Sequence, residues 1–208
     1  MLYWVRTPQW LQRIFPGFWW RLSANDPPML YLTFDDGPHP EVTPQVLELL
    51  EQFEAKATFF CLGNNVEQHP AIYRKVLQKG HATGNHTYRH SNGWQMSSQR
   101  YVQEVAQAEH YIQSTLFRPP YGRIFPHQAR ALRRRGYHIV MFDVLSGDFD
   151  TRLRAEQCAQ NVIENAEPGS IVVFHDSAKA WPRLQHCLPA VLEHFAERGY
   201  RFAHLPNH

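Results

Sequence analysis

Cysteine is scarce in this 208-residue chain: Cys61, Cys158 and Cys187 are odd in number and far apart. Such a set offers neither a disulfide framework nor a Cys-x-x-Cys metal knuckle, so the three are expected to be reduced structural thiols. An excess of charge of one sign is also missing. Lys and Arg total 21 against 19 Asp and Glu, a formal net charge of +2, which lacks the strongly basic face of a nucleic-acid-binding surface. No apolar run approaches the roughly 20 residues that span a bilayer, and there is no internal repeat or low-complexity tract. No secretory signal peptide is visible, because Arg6, Arg13 and Arg21 break up the apolar residues of the first stretch. The expected compartment is therefore cytoplasmic by default, and the expected state is a monomer.

What is present is an ordinary globular composition, 43% hydrophobic with 13% aromatic residues, in a length that suits one domain with a substantial core. Histidine is unusually frequent, with 13 copies. Residues 1–28 read as an N-terminal extension and 29–208 as the main domain. The extension carries Trp4, Trp10, Phe15, Phe18, Trp19 and Trp20 among its arginines, a mixture suited to peripheral contact with a membrane surface. Pro8, Pro16 and Gly17 break any single amphipathic helix there, so packing onto the domain as a closing segment is the preferred expectation. Asn25 to Pro28 reads as the linker between the two.

From Met29 onward, short apolar runs alternate with helical patterns. Strands are expected at Met29–Phe34, Thr58–Leu62, His81–Asn85 (weakly), Leu116–Arg118, Tyr137–Val144 (the longest), Ile171–Phe174 and Tyr200–Ala203. Helices are expected at about 42–53, 65–78, 97–115, 126–135, 155–166 and 188–198. About seven strands alternating with helices imply a parallel α/β architecture.

The polar residues that stand out fall at strand ends. Asp35 and Asp36 follow the first strand, where Gly37-Pro38 forces the chain to turn. In a continuing strand the two carboxylates point to opposite faces, whereas at a turn both can enter one pocket. Asn85 and His86, Arg118 to Tyr121, Asp148 and His175 occupy equivalent positions. In an α/β barrel such ends form one rim, where an active site is built. His86 and His90 are four residues apart, a spacing that puts both imidazoles on one face of a helical turn and within reach of one metal ion. A carboxylate from the Asp35/Asp36 pair completes a two-His, one-carboxylate set with open coordination positions, the mark of a catalytic metal site. Arg118 beside a carboxylate holds it ionised and oriented.

Taken in order, Thr33-Phe34-Asp35-Asp36-Gly37, His86-Thr87-Tyr88-Arg89-His90, Arg118-Pro119-Pro120-Tyr121 and Val173-Phe174-His175 resemble the successive motifs of the polysaccharide deacetylase family (carbohydrate esterase family 4, the NodB-homology family). The similarity runs from about Leu30 to Tyr200. The resemblance implies a distorted (β/α) barrel with fewer strands than the usual eight. It implies that Asp36, His86 and His90 hold a divalent metal, commonly zinc, with cobalt or nickel as alternatives. It further implies Asp35 as general base, Arg118 as its orienting partner, His175 as general acid and the Tyr121 backbone N–H as an oxyanion donor.

One motif departs from the family pattern: Phe149 stands where a Trp is expected. Asp148 is the best match for the carboxylate that tunes His175, with Asp143 second. The activity implied is hydrolytic N-deacetylation of acetylated sugars, of the chitooligosaccharide or peptidoglycan type. O-deacetylation of a glycan such as xylan, or a non-catalytic carbohydrate-binding role, are the alternatives.

Overall fold

The computed structural model describes residues 3–24 and 26–207; Met1, Leu2, Asn25 of the expected linker and His208 lie outside them. In chain order the elements are α1 (Gln9–Ile14), β1 (Met29–Asp35), α2 (Val42–Gln52), β2 (Ala57–Cys61), α3 (Gly63–Gln68), α4 (Pro70–Gln78), β3 (Ala82–Asn85), α5 (Ser98–Glu109), β4 (Leu116–Phe117), α6 (Pro126–Arg134), β5 (His138–Ile139), β6 (Val144–Leu145), α7 (Ala155–Ile163), β7 (Ile171–His175), α8 (Trp181–Ala196) and β8 (Arg201–Phe202). All strand pairings are parallel, in the order β5-β4-β3-β2-β1-β7-β6, with β8 on β1. Among the described residues no helix is long and apolar enough to cross a membrane.

β5 and β6 are the two halves of the single long strand expected at Tyr137–Val144. They lie at opposite ends of the strand order, yet only Val140–Asp143 separates them. Five residue steps span at most about 17 Å, so the sheet must curl until its two edges nearly meet. The run changes partner as it goes: Val140 N–H donates to Phe117 of the β4 edge, and Asp143 N–H donates to Ile171 of the β7 edge. The N-terminal segment fills the seam. Leu145 N–H donates to Val5 O, Thr7 N–H to Asp143 O and Met141 N–H to Trp19 O, so backbone groups that the split leaves open find partners. Glu167 fastens the segment by pairing with Arg6 (2.8 Å) and Arg21 (3.2 Å). The aromatic residues of the segment divide accordingly: Trp20 is buried, while Trp4 and Trp10 are exposed.

Side-chain alternation along β1 sorts its residues between two environments. Leu30, Leu32 and Phe34 pack outward with Val46, Leu47 and Leu50 of α2 and with Leu188 and Val191 of α8. Each such fully buried side chain contributes about 1.5–3 kcal/mol. Tyr31, Thr33 and Asp35 take the other phase, towards the barrel interior, where Tyr31 meets Phe60, Leu116 and Ile171.

Three helices differ most from expectation, and the one expected at 97–115 already ends at Glu109. The helix expected at 65–78 is broken at His69, because Pro70 opens a new helix rather than continuing the old one. The last helix begins at Trp181, with Pro182 at its start, and tolerates Pro189 inside. That internal proline is why its first two turns escape a reading by pattern. The three cysteines are buried and unpaired.

Candidate active site

The strand register brings the rim residues together. Asp35 stands opposite Phe60 on one side and His175 on the other, and Cys61 stands opposite Asn85, which in turn faces Phe117. His86 and Arg118 therefore leave adjacent strand ends, and His86 N–H donates to Cys61 O while Arg118 N–H donates to Asn85 O.

The two adjacent aspartates are separated by backbone geometry. Asp35 is still in strand phase with Tyr31 and Thr33, so its carboxylate points into the barrel. There Arg118 Nη1 donates to Asp35 Oδ1 (2.7 Å) and to the Thr33 hydroxyl (2.7 Å), and Nη2 donates to Met141 O (2.9 Å). The guanidinium is buried and lies 4.1 Å from the centre of the Phe60 ring. Asp36, one residue on, has φ 78°, and this left-handed turn carries its carboxylate to the histidines. Asn65 Nδ2 steadies the turn by donating to Asp36 O (2.8 Å).

The histidine pair is not on a helical turn. Thr87 (φ 67°) and His90 (φ 59°) are both left-handed, and a looped backbone brings the rings together at 5.1 Å between centres. Tyr121 (φ 60°) is the fourth non-glycine residue of the site in this conformation. Such positions cost about 1–3 kcal/mol each and cluster where function requires them. Tyr121 sets its ring edge-on to His90 at 4.5 Å.

Whether these side chains suit a cation is answered by their donor atoms. Asp36, His86 and His90 offer one ligand atom each, all within 4.8 Å of one another. Asp36 Oδ1 is buried without a well-formed hydrogen bond, yet lies 3.1 Å from His90 Nε2 and 3.7 Å from His86 Nε2. His86 Nδ1 lies 2.8 Å from Arg118 O; a carbonyl only accepts, so Nδ1 carries the proton. Burial lowers the His86 pKa to about 4, against the pull of Asp35, so the ring is neutral and Nε2 presents a lone pair. A fixed tautomer with its other nitrogen held by the backbone is how protein imidazoles ligate metals. For Asp36, burial acts upward, but the His90 contact and the nearby His175 and His86 outweigh it and hold the carboxyl below its usual range. The set fits a divalent ion with coordination positions left open.

His175 closes the opposite side. Its Nδ1 lies 2.8 Å from Asp148 Oδ1, and its backbone N–H donates to Asp148 Oδ2 (2.7 Å). Burial alone lowers the imidazole pKa, but the Asp148 carboxylate outweighs it, aided by Asp36 and Asp35, and the net effect raises it to about 9. Asp143, the second match for this role, is elsewhere: it accepts from Ser170 Oγ (2.6 Å) and pairs with Arg6. Phe149 stands edge-on to His175 at 5.1 Å. Asp35, Asp36, His86, His90, Arg118, Tyr121, Phe149 and His175 all line one pocket of about 410 Å³, within the usual range for small-molecule sites.

Three contributors escaped the sequence. The Thr33 hydroxyl is the second acceptor of Arg118 Nη1. Asp176 is a buried carboxyl that accepts from Thr43 Oγ1 (2.5 Å) beneath the Asp36-Gly37 turn; burial, with Asp36 and Asp35 nearby, raises it to about 8. Tyr3 reaches the pocket from the N-terminal segment. Thr33, first in the Thr33–Gly37 motif, and Asp176, directly after His175, had their positions as signals; Tyr3 had none.

Comparison with known proteins agrees with this geometry. A family model described as polysaccharide deacetylase matches residues 23–140. A peptidoglycan-N-acetylglucosamine deacetylase of Bacillus cereus is 33% identical over 189 residues, covering 88% of this chain and 88% of the relative. A chitooligosaccharide deacetylase of Azorhizobium caulinodans is 34% identical over 163 residues, 75% of this chain and 77% of the relative. Among solved structures, a peptidoglycan N-acetylglucosamine deacetylase in complex with 4-naphthalen-1-yl-N-oxidanyl-benzamide superposes with a TM-score of 0.88. It is 30% identical and the match covers 96% of this chain and 95% of that one. A family match over more than half of the chain, with relatives a third identical across most of it, shows that the chain belongs to the polysaccharide deacetylase family.

Proposed function

We propose that the chain hydrolyses the N-acetyl group of N-acetylglucosamine-type sugars, releasing acetate and a free amine. The reading is carried by one observation: Asp36, His86 and His90 converge beside two further groups, Asp35 and His175, that stand opposite each other in strand register. Asp36, His86 and His90 would hold a divalent ion, with zinc proposed, and such an ion would supply Lewis acidity toward the acetyl carbonyl and lower the pKa of water to about 7.

The chain's own groups divide the proton traffic. Asp35 has one oxygen occupied by Arg118; its other, Oδ2, lies 4.0 Å from His86 Nε2, on the metal side. From there it takes the proton of the attacking water. His175 has Nδ1 committed to Asp148, so Nε2 is the atom that delivers a proton to the departing amine. The Tyr121 backbone N–H meets the developing oxyanion, a contact typically worth about 3 kcal/mol. A monomer suffices, because one chain supplies every residue named.

The test is acetate release from N-acetylglucosamine oligomers by chelated protein and by protein given back Zn²⁺ or Co²⁺. Release restored by metal is expected. Release from acetylated xylan but not from the N-acetylated oligomers would replace the substrate reading with O-deacetylation. Metal bound without turnover on either would favour a carbohydrate-binding role.

A further inference from the structure

One residue lining the pocket comes from the N-terminal segment. Tyr3 arrives there because the segment behind it is fixed to β6, with Leu145 N–H donating to Val5 O and Arg6 bridged antiparallel to Val144. Its ring lies 5.2 Å from Phe149 at 56°, and Phe149 lies 5.1 Å from His175 at 66°. Tyr3 therefore stands two ring contacts away from His175, the group proposed to meet the departing amine. Its hydroxyl is anchored: it donates to Asp150 Oδ2 (3.1 Å), and Arg152 holds Asp150 through Nε (2.9 Å) and Nη2 (2.7 Å). The ring is only half-buried. An aromatic side chain pinned at its polar tip and left with open apolar area is a preorganised platform, because little freedom remains to be lost on binding.

Phe149 offers an apolar wall without a polar handle, and Tyr3 adds a second ring to that wall. We propose that Tyr3 is a substrate-contacting, specificity-determining residue of this pocket, which receives the sugar beyond the one that loses its acetyl group. The N-terminal segment thus shapes the saccharide site as well as closing the barrel seam. This assignment rests on the deacetylase reading.

The experiment is steady-state acetate release from N-acetylglucosamine tetramer by Zn²⁺-restored wild type, Tyr3→Ala and Tyr3→Phe, with thermal melts of all three. Tyr3→Ala is expected to raise KM about tenfold, equivalent to ~1.4 kcal/mol of one aromatic contact, with kcat within about twofold. Tyr3→Phe keeps the ring and is expected to restore most of the KM. Wild-type turnover with KM unchanged in Tyr3→Ala overturns the Tyr3 assignment alone. A parallel fall of kcat and melting temperature in Tyr3→Ala also overturns it, in favour of a fastening role. Absence of wild-type turnover overturns the deacetylase reading and, with it, the role of Tyr3.

Discussion

Asp148 grips His175 twice, at the imidazole Nδ1 (2.8 Å) and at the backbone N–H (2.7 Å). The first contact favours the protonated ring and the second fixes where that ring sits. The folded-state pKa is raised from 6.5 to about 9, despite burial acting downward. The ring therefore holds its proton at neutral pH, and the stability this contributes is present below pH 6.5 and lost as pH rises through 9. A cation beside Asp36 offsets the smaller aspartate contributions, which places the alkaline limb of kcat between those values. In Asp148→Asn the main upward influence is gone and burial prevails, so the limb shifts to lower pH by one unit or more, at about 1.4 kcal/mol per unit. A pH profile of kcat for both proteins decides it; an unmoved limb would remove His175 as the acid.

Asp35→Asn keeps the shape of the side chain and an oxygen for Arg118, but removes the group proposed to accept a proton. The expected loss in kcat is on the order of 10²–10⁴-fold. Metal content by elemental analysis is expected to stay at the wild-type level, because Asp36, His86 and His90 are intact. Equal acetate release by the two proteins would take Asp35 out of the mechanism.

Arg118 is the side chain on which the barrel interior closes. It is buried and satisfies Asp35, Thr33 and Met141 O at once. Arg118→Met removes the guanidinium paired with a buried carboxylate, a change that costs about 3–5 kcal/mol. For a chain of this length that lowers the melting temperature by on the order of 10 °C. Arg118→Lys retains charge but loses the fork geometry and is expected to fall between the two. Calorimetric melts at neutral pH measure both; wild-type melting in Arg118→Met would show that Asp35 has another partner.

The legible part of this molecule is what its local chemistry dictates. Gly37-Pro38 ends β1, so the placement of Asp35 and Asp36 at a strand end follows from two neighbouring residues. The rim positions of His86, Arg118 and His175 follow in the same way from the apolar runs before them. The division of labour between Asp35 and Asp36 is tertiary as well as local: it needs the strand phase of Thr33 and the left-handed turn at Asp36 together. The run from Tyr137 to Val144 reads as one strand because its pattern is continuous. Nothing in that pattern says that its first half pairs with β4 and its second with β7. Tyr3 was invisible for a related reason, since its position depends on hydrogen bonds made to residues more than a hundred positions away.

Gly37 lies where the metal-side turn meets a buried carboxyl, and the reason for a glycine there is space. A Cβ at this position would stand 2.1 Å from Asp176 Oδ2 and 2.5 Å from its Cγ. Asp176 has little room to yield, because it is buried, accepts from Thr43 Oγ1 (2.5 Å) and donates its N–H to Asp35 O (3.2 Å). Gly37→Ala must therefore displace either Asp176 or the turn that carries Asp36. The expected cost is about 1–3 kcal/mol of stability, with weaker metal retention because Asp36 moves with the turn. Asp176→Ala removes the obstructing atoms, so the double variant is expected to melt higher than the sum of the two single changes allows, a coupling of about 1 kcal/mol or more. Strictly additive melts in this cycle would mean that the glycine is needed for something other than room beside Asp176.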